Sequence, residues 1–183
     1  MSAGDHRICM IRPTLEGVPD YALPANFALR AYAPGDEAAW LAIHEQADPY
    51  HDVTPAFYRA QFGEDPVRLR KRQFFLVSPE GQPIGTASAW DDAAFRGERW
   101  GRVHWVAIVP AFQGRGLAKP LMSRVCLRLR ELGHEKAFLT TATYRQAAIG
   151  LYRRFGFQPD IQDDDDARKW ASIGIIPSTA GGC

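Results

Sequence analysis

Val106-Ala107-Ile108-Val109-Pro110-Ala111-Phe112-Gln113-Gly114-Arg115-Gly116-Leu117-Ala118-Lys119 is the stretch on which the reading of this chain turns. Its apolar start belongs to a dense run, Val103 to Val109, that predicts a strand. Pro110 closes the run. A long amphipathic helix is expected over residues 114–132, with Leu117, Leu121, Val125 and Leu129 spaced by four and Gly133 as its stop. The N-terminus of a helix presents unpaired N–H groups and a partial positive charge. Glycines at 114 and 116 remove side chains there, so a phosphate can approach the amides. Pro120 is expected just past the first turn, leaving the amides of residues 114 to 119 free. No Gly-Lys-Ser/Thr follows, so this is not the nucleotide P-loop. Nor is it the three-glycine dinucleotide fingerprint.

Working outward, Phe27 to Tyr32 alternates like a strand and Pro34-Gly35 turns the chain. Asp36 is placed to cap a helix running to about Gln46, and Thr54-Pro55 to open a second. Arg68, Arg70, Lys71 and Arg72 read as a solvated basic cluster. Phe74–Val77 and Ile84–Trp90 flank a Pro/Gly turn and predict a hairpin. Asp91 to Arg99 reads as a polar loop, 137–141 as a strand, 146–155 as a short helix. Phe157 begins another strand, Asp163–Asp166 reads as an acidic loop, and Trp170–Ile176 alternates as a last strand. The order βααβββαβαββ predicts a mixed α/β domain around a central sheet. Residues 1–26, with Pro13, Pro19 and Pro24, read as an extended N-terminal arm carrying a short strand at 8–12; residues 27–183 form the domain proper.

Composition narrows the class. The 183 residues suit one domain. With 22 Lys and Arg against 21 Asp and Glu, the net charge is +1, which argues against a dedicated nucleic-acid binder. No apolar run approaches the roughly 18 residues of a membrane span, and no signal peptide is visible behind Met1. Cys9, Cys126 and Cys183 are sparse and odd in number, which fits reduced thiols in a cytoplasmic protein; Cys126 reads as a small core residue. His44 and His51 lack metal-ligand spacing, so no metal is expected.

Two blocks in order carry a family resemblance. Val106 to Ala118 resembles the acyl-CoA signature of the GNAT acyltransferase superfamily, and Ala148-Ile149-Gly150-Leu151-Tyr152-Arg153-Arg154-Phe155-Gly156-Phe157 resembles its later A-I-x-L-Y-x-x-x-G-F segment. The likeness covers about Phe27 to Phe157. It implies a central, mostly antiparallel sheet flanked by helices and splayed after Val106–Val109 around a slot for acetyl-CoA. Val106, Ala107 and Ile108 would pair with the pantetheine arm. Gln113, Gly114, Arg115, Gly116, Leu117, Ala118 and Lys119 would hold the pyrophosphate. Tyr152 would meet the departing sulfur as its acid. Arg145 stands where many relatives carry a cofactor-binding Asn, and an arginine there could reach a phosphate or an acidic substrate. Thr140 stands where some carry a glutamate base.

The implied reaction is direct attack of a primary amine on acetyl-CoA. An amine of pKa about 10.4 is a free nucleophile in only about one molecule in a thousand at neutral pH, so a base is expected. His104 lies two residues before Val106 and would share its face, which makes it the first candidate; Asp91, Asp92 and Glu98, acting through water, are the others. Trp40, His44, Tyr50, His51 and Tyr58 are candidates to line the acceptor pocket. The acceptor is a small molecule or peptide, with no membrane partner, and a homodimer is compatible with the sequence. An acyl-CoA-binding sensor without turnover is the competing reading.

Overall fold

The computed structural model describes residues 6–175. A single seven-stranded sheet organises them. Its strands are β1 (Arg7–Arg12), β2 (Ala28–Ala31), β3 (Gln73–Val77), β4 (Pro83–Asp92), β5 (Trp100–Ile108), β6 (Ala137–Ala142) and β7 (Gln158–Asp160). They lie in the order β2-β3-β4-β5-β6-β1-β7. Neighbours run antiparallel except β5 and β6, which are parallel. The helices are α1 (Asp36–Ala47), α2 (Pro55–Phe62), α3 (Pro66–Arg72), α4 (Ala118–Glu131), α5 (Gln146–Arg154) and α6 (Asp164–Ser172).

Both faces of the sheet are covered, so its middle strands are mainly apolar: β3 and β4 are buried along most of their length. α4 packs one face with Leu121, Val125, Cys126 and Leu129, all fully buried. A side chain at Gly101 of β5 would strike Leu129 of α4 and His134 behind it, so glycine lets the helix close on the strand. α1 and α2 cover the other face, where Trp40 packs edge to face with Tyr58 and Phe62.

Several expectations are corrected. The short strand expected at 8–12 is present as β1, but as an interior strand, paired with β6 from Arg7↔Ala142 to Arg12↔Ala137 and with β7 on its other side. Met10 at its centre is fully buried. The basic cluster lies on a helix that was not expected, α3, capped by the Asp65 carboxylate on the Val67 and Arg68 amides, with Pro66 in its first turn and Leu69 buried beneath. Arg68 and Arg72 of this helix lie over the Trp90 ring and both pair with Asp91. The acidic run is the cap and first turn of α6: Asp163 accepts from the amides of Asp165 and Asp166, and carboxylates there match the helix dipole. α6 continues through Trp170, which is fully buried, and replaces the expected last strand; Ile176 lies outside the described residues. The cap of α1 is Gly35 at φ 98°, while Asp36 sits in the first turn and grips Arg30 and the Ala33 amide. Cys9 and Cys126 are free thiols, and burial pushes both up to about 12; Cys183 lies outside the described residues.

Candidate active site

The site begins where the sheet opens. β5 pairs with β6 only at Gly101↔Ala137 and Arg102↔Phe138. Beyond Arg102 the two strands part, while β5 stays bonded to β4 as far as Ile108 and β6 stays bonded to β1 as far as Ala142. The splay therefore starts earlier than residues 106–109, and Val106, Ala107 and Ile108 lie along the opened edge. Backbone groups on that edge need partners, and an extended amide-bearing ligand supplies them as an added strand would.

At the far end of β5 the chain makes a short turn, Pro110–Phe112, and then passes through two left-handed glycines, Gly114 at φ 74° and Gly116 at φ 79°. α4 starts at Ala118, later than the expected Gly114. Alternation of left- and right-handed residues turns successive N–H groups into one concavity, a nest suited to phosphate oxygens. Among the described residues the amides of 114 to 118 have no acceptor; that of Lys119 does, the Gly116 carbonyl. Pro120 falls inside the first turn of α4, not past it, where no intrahelical bond is lost. A Cβ on Gly114 or Gly116 would meet nothing within 4 Å, so the concavity is open. The side chains around it are otherwise engaged. Gln113 donates to the Ile108 carbonyl at 2.7 Å, Arg115 reaches back to the Ala111 carbonyl and lies over Phe112, and Lys119 lies over Tyr21. The concavity is thus lined mainly by backbone, with Leu117 buried as its anchor.

β5 carries a bulge that overturns the expected placement of His104. Ser88 pairs with His104 and Thr86 with Ala107, so two steps on β4 match three on β5. The extra residue brings Trp105 to φ 51°, a left-handed conformation unusual for a large side chain. Cross-strand partners share a face, so His104 goes with Ala107, and Val106 and Ile108 go to the other side. His104 faces Phe62 of α2 and is buried. Burial, then the charge of Arg102 and the neighbouring His44, hold its imidazole well below the usual histidine range. The acidic alternatives sit at the wrong end of the strand. Asp91 and Asp92 pair with Gly101 and Trp100, about 17 Å and about 20 Å along β5 from Val106 at about 3.3 Å per residue. They are also bound, Asp91 by Arg68 and Arg72 and Asp92 by Arg102, while Glu98 pairs with Lys136.

The Trp105 side chain explains how the bulge persists. Its ring meets Trp40, His44, His51 and Phe57, and its Nε1 donates to Gln61 at 3.0 Å. Backbone strain of this kind survives where packing over-determines it. Of the five expected pocket residues, Trp40, His44 and Tyr58 are core groups with at most 1% exposure, and Tyr58 donates to Gln73. Tyr50 and His51 reach the surface.

They belong to the loop between α1 and α2, and this loop crosses the opened end of the sheet. On one side His51 meets Trp105 of β5. On the other, Tyr50 packs on Tyr144 at 4.5 Å between centroids, and Asp48 binds Arg145 at 2.9 Å, both just after β6. Arg145 is therefore held by a carboxylate. Nothing local in the sequence links Asp48 to Arg145, almost a hundred residues on. Burial pushes the Asp48 carboxyl up, but the hydrogen bond and charge of Arg145, with His51 and the Tyr50 amide, hold it below the ordinary range. A carboxyl depressed in this way stabilises the fold above its unfolded pKa of about 3.9 and loses that contribution as pH falls through the lower folded value. Urea unfolding between about pH 7 and about pH 3 is expected to show a loss of stability that Asp48→Asn reduces. An equal loss in the variant would remove Asp48 from the acid response.

α5 follows directly. Its buried face carries Ile149 and Tyr152. The Tyr152 ring packs on Phe157, and burial pushes its hydroxyl up to about 12, with Arg145 acting weakly in the other direction. The hydroxyl makes no hydrogen bond among the described residues, so its donor is available to a ligand.

Comparison with known proteins is consistent with this geometry. The profile of the Acetyltransferase (GNAT) family matches residues 38–157. A mycothiol acetyltransferase of Arthrobacter sp. strain FB24 is 35% identical over 147 residues, covering 76% of this chain and 45% of the relative. One from Streptomyces coelicolor is 30% identical over 152 residues, covering 80% and 48%. The chain spans about half the length of the curated relatives it matches. A GCN5-related N-acetyltransferase from Sphaerobacter thermophilus superposes with a TM-score of 0.70 at 23% identity, over 84% of this chain and 48% of that one, a likeness of fold.

Proposed function

Since the chain belongs to the acetyltransferase (GNAT) family, we propose that it is an N-acetyltransferase moving the acetyl group of acetyl-CoA to a primary amine by direct attack. The observation that carries this reading is the unpaired edge of β5 ending at the open glycine nest. An elongated donor needs both: amide partners along Val106 to Ile108 for its arm, and clustered N–H groups at residues 114 to 118 for its phosphates. Tyr152 donates its hydroxyl to the sulfur as the C–S bond breaks. Backbone pairing on β5 fixes the thioester, so the amine meets it at one end of the slot, beneath the α1–α2 loop.

The test is thiol release from acetyl-CoA across an amine panel, run beside thermal unfolding with the donor. The names of the curated relatives put amines related to mycothiol first in the panel, followed by amino sugars, amino-acid amides and polyamines. Donor at a hundred times its Kd is expected to add about 2.7 kcal/mol of stability, and at least one amine to turn over. No shift and no calorimetric heat at millimolar donor would overturn the reading. A shift with every amine silent would favour an acyl-CoA-binding sensor instead.

A further inference from the structure

Three histidines surround Trp105, and they differ in one respect that matters for proton transfer. His44 stacks on Trp40, donates from Nδ1 to the Trp40 carbonyl, and buries its Nε2 without a partner; burial pushes it down to about 4. His104 is buried against α2. His51 alone of the three is open, with 44% of its side chain exposed. A base must shed its proton to solvent on every turnover, and a buried imidazole has no route for that.

His51 is also aimed. Its Nδ1 lies 2.8 Å from the Asp48 carboxylate, which only accepts, so Nδ1 carries the hydrogen and Nε2 is left as the acceptor nitrogen. Asp48 is itself 5% exposed and fixed by Arg145 and by the Tyr50 amide. The ring meets Trp105 at 5.2 Å between centroids, at the bulge on the opened edge of β5. The loop bearing it touches both lips of the slot. Charged or titratable groups around the ring are Asp48 and His44 of the α1 end and, through Asp48, Arg145; α2 and β5 present Phe57 and Trp105.

We propose that His51, held by Asp48, is the base that takes the proton from the attacking amine. This rests on the acetyl-transfer reading above. The amine nitrogen bonds to the thioester carbonyl carbon and the C–S bond breaks. The amine proton passes to His51 Nε2 and from there to water. The thiolate, steadied by Tyr152, leaves with a proton drawn from solvent. Asp48 is a positioning residue: it sets the tautomer and balances the imidazolium as it forms.

The experiment uses the full chain and whichever amine of the panel turns over. His51→Gln is expected to keep the thermal shift with acetyl-CoA, to lower kcat/KM about a hundredfold and to erase from its pH profile the acid limb that stays in place as the pKa of the amine is varied across the panel. Added imidazole is expected to restore part of the rate to His51→Ala. Asp48→Asn is expected to lower kcat with an unchanged KM for acetyl-CoA. Wild-type turnover in His51→Gln would overturn the proposal. So would a slower variant that keeps the limb, or one that imidazole does not rescue, since either outcome reduces His51 to a structural part. Absence of turnover in the unaltered protein, with any amine, is the separate failure of the acetyl-transfer reading and sinks both together.

Discussion

Gly116→Glu is expected to abolish acetyl-CoA binding while leaving a folded protein. Gly116 sits at φ 79°, and a side chain placed there would meet nothing within 4 Å. The fold therefore loses only the left-handed penalty, about 1–2 kcal/mol. The glutamate enters the concavity where the amides of 114 to 118 converge. A carboxylate about 4 Å from a phosphate charge is repelled by about 4 kcal/mol at an effective dielectric of 20, roughly a thousandfold in affinity. Gly116→Ala separates the two effects, because it adds the strain without the charge. It is expected to melt earlier and still bind. Calorimetry at millimolar donor reads the result. Wild-type heat from Gly116→Glu would move the pyrophosphate away from this turn, and the β5 edge would then lose its role as the guide for the donor.

What was legible in the sequence follows the range of the interactions. The β5 run, the glycine spacing and the α4 stripe are local signals, and each element is present with shifted ends. The hairpin of β3 and β4 was legible for the same reason. Short capped helices were hidden by their charges. α3 is 7 residues of mainly basic side chains and α6 is 9 residues opening on aspartates, so composition spoke louder than the caps at Asp65 and Asp163. The bulge at Trp105 left no local mark. One inserted residue reverses every facing beyond it, which is why simple alternation put His104 beside Val106. The place of β1 and the bond from Asp48 to Arg145 are tertiary facts between segments far apart in the chain. The histidine that the structure favours as base was therefore legible only as part of the acceptor side.

Tyr152→Phe is expected to lower turnover by about a hundred- to a thousandfold with little change in donor affinity. The substitution keeps the ring against Phe157 and removes only the hydroxyl. Full proton transfer from this group is unfavourable. Burial pushes Tyr152 up to about 12, and a thiol of pKa about 8.5 is the weaker base by about 3.5 units, so the transfer runs uphill by about 5 kcal/mol. A hydrogen bond to the developing thiolate carries no such penalty and strengthens as charge gathers on sulfur. It acts in the transition state more than in the ground state, so kcat falls and Kd does not. Both roles need the hydroxyl protonated, and burial keeps it so through the neutral and alkaline range. Loss of the hydroxyl therefore slows the reaction by one factor at every pH below about 12. The rate ratio of the wild type to Tyr152→Phe, measured across the neutral and alkaline range under conditions where chemistry limits turnover, is expected to be flat. A ratio that falls steadily from neutral pH upward would show that the hydroxyl ionises in the complex and would remove the thermodynamic objection to full proton transfer, and a ratio near one throughout would return Tyr152 to the core as an aromatic that only packs.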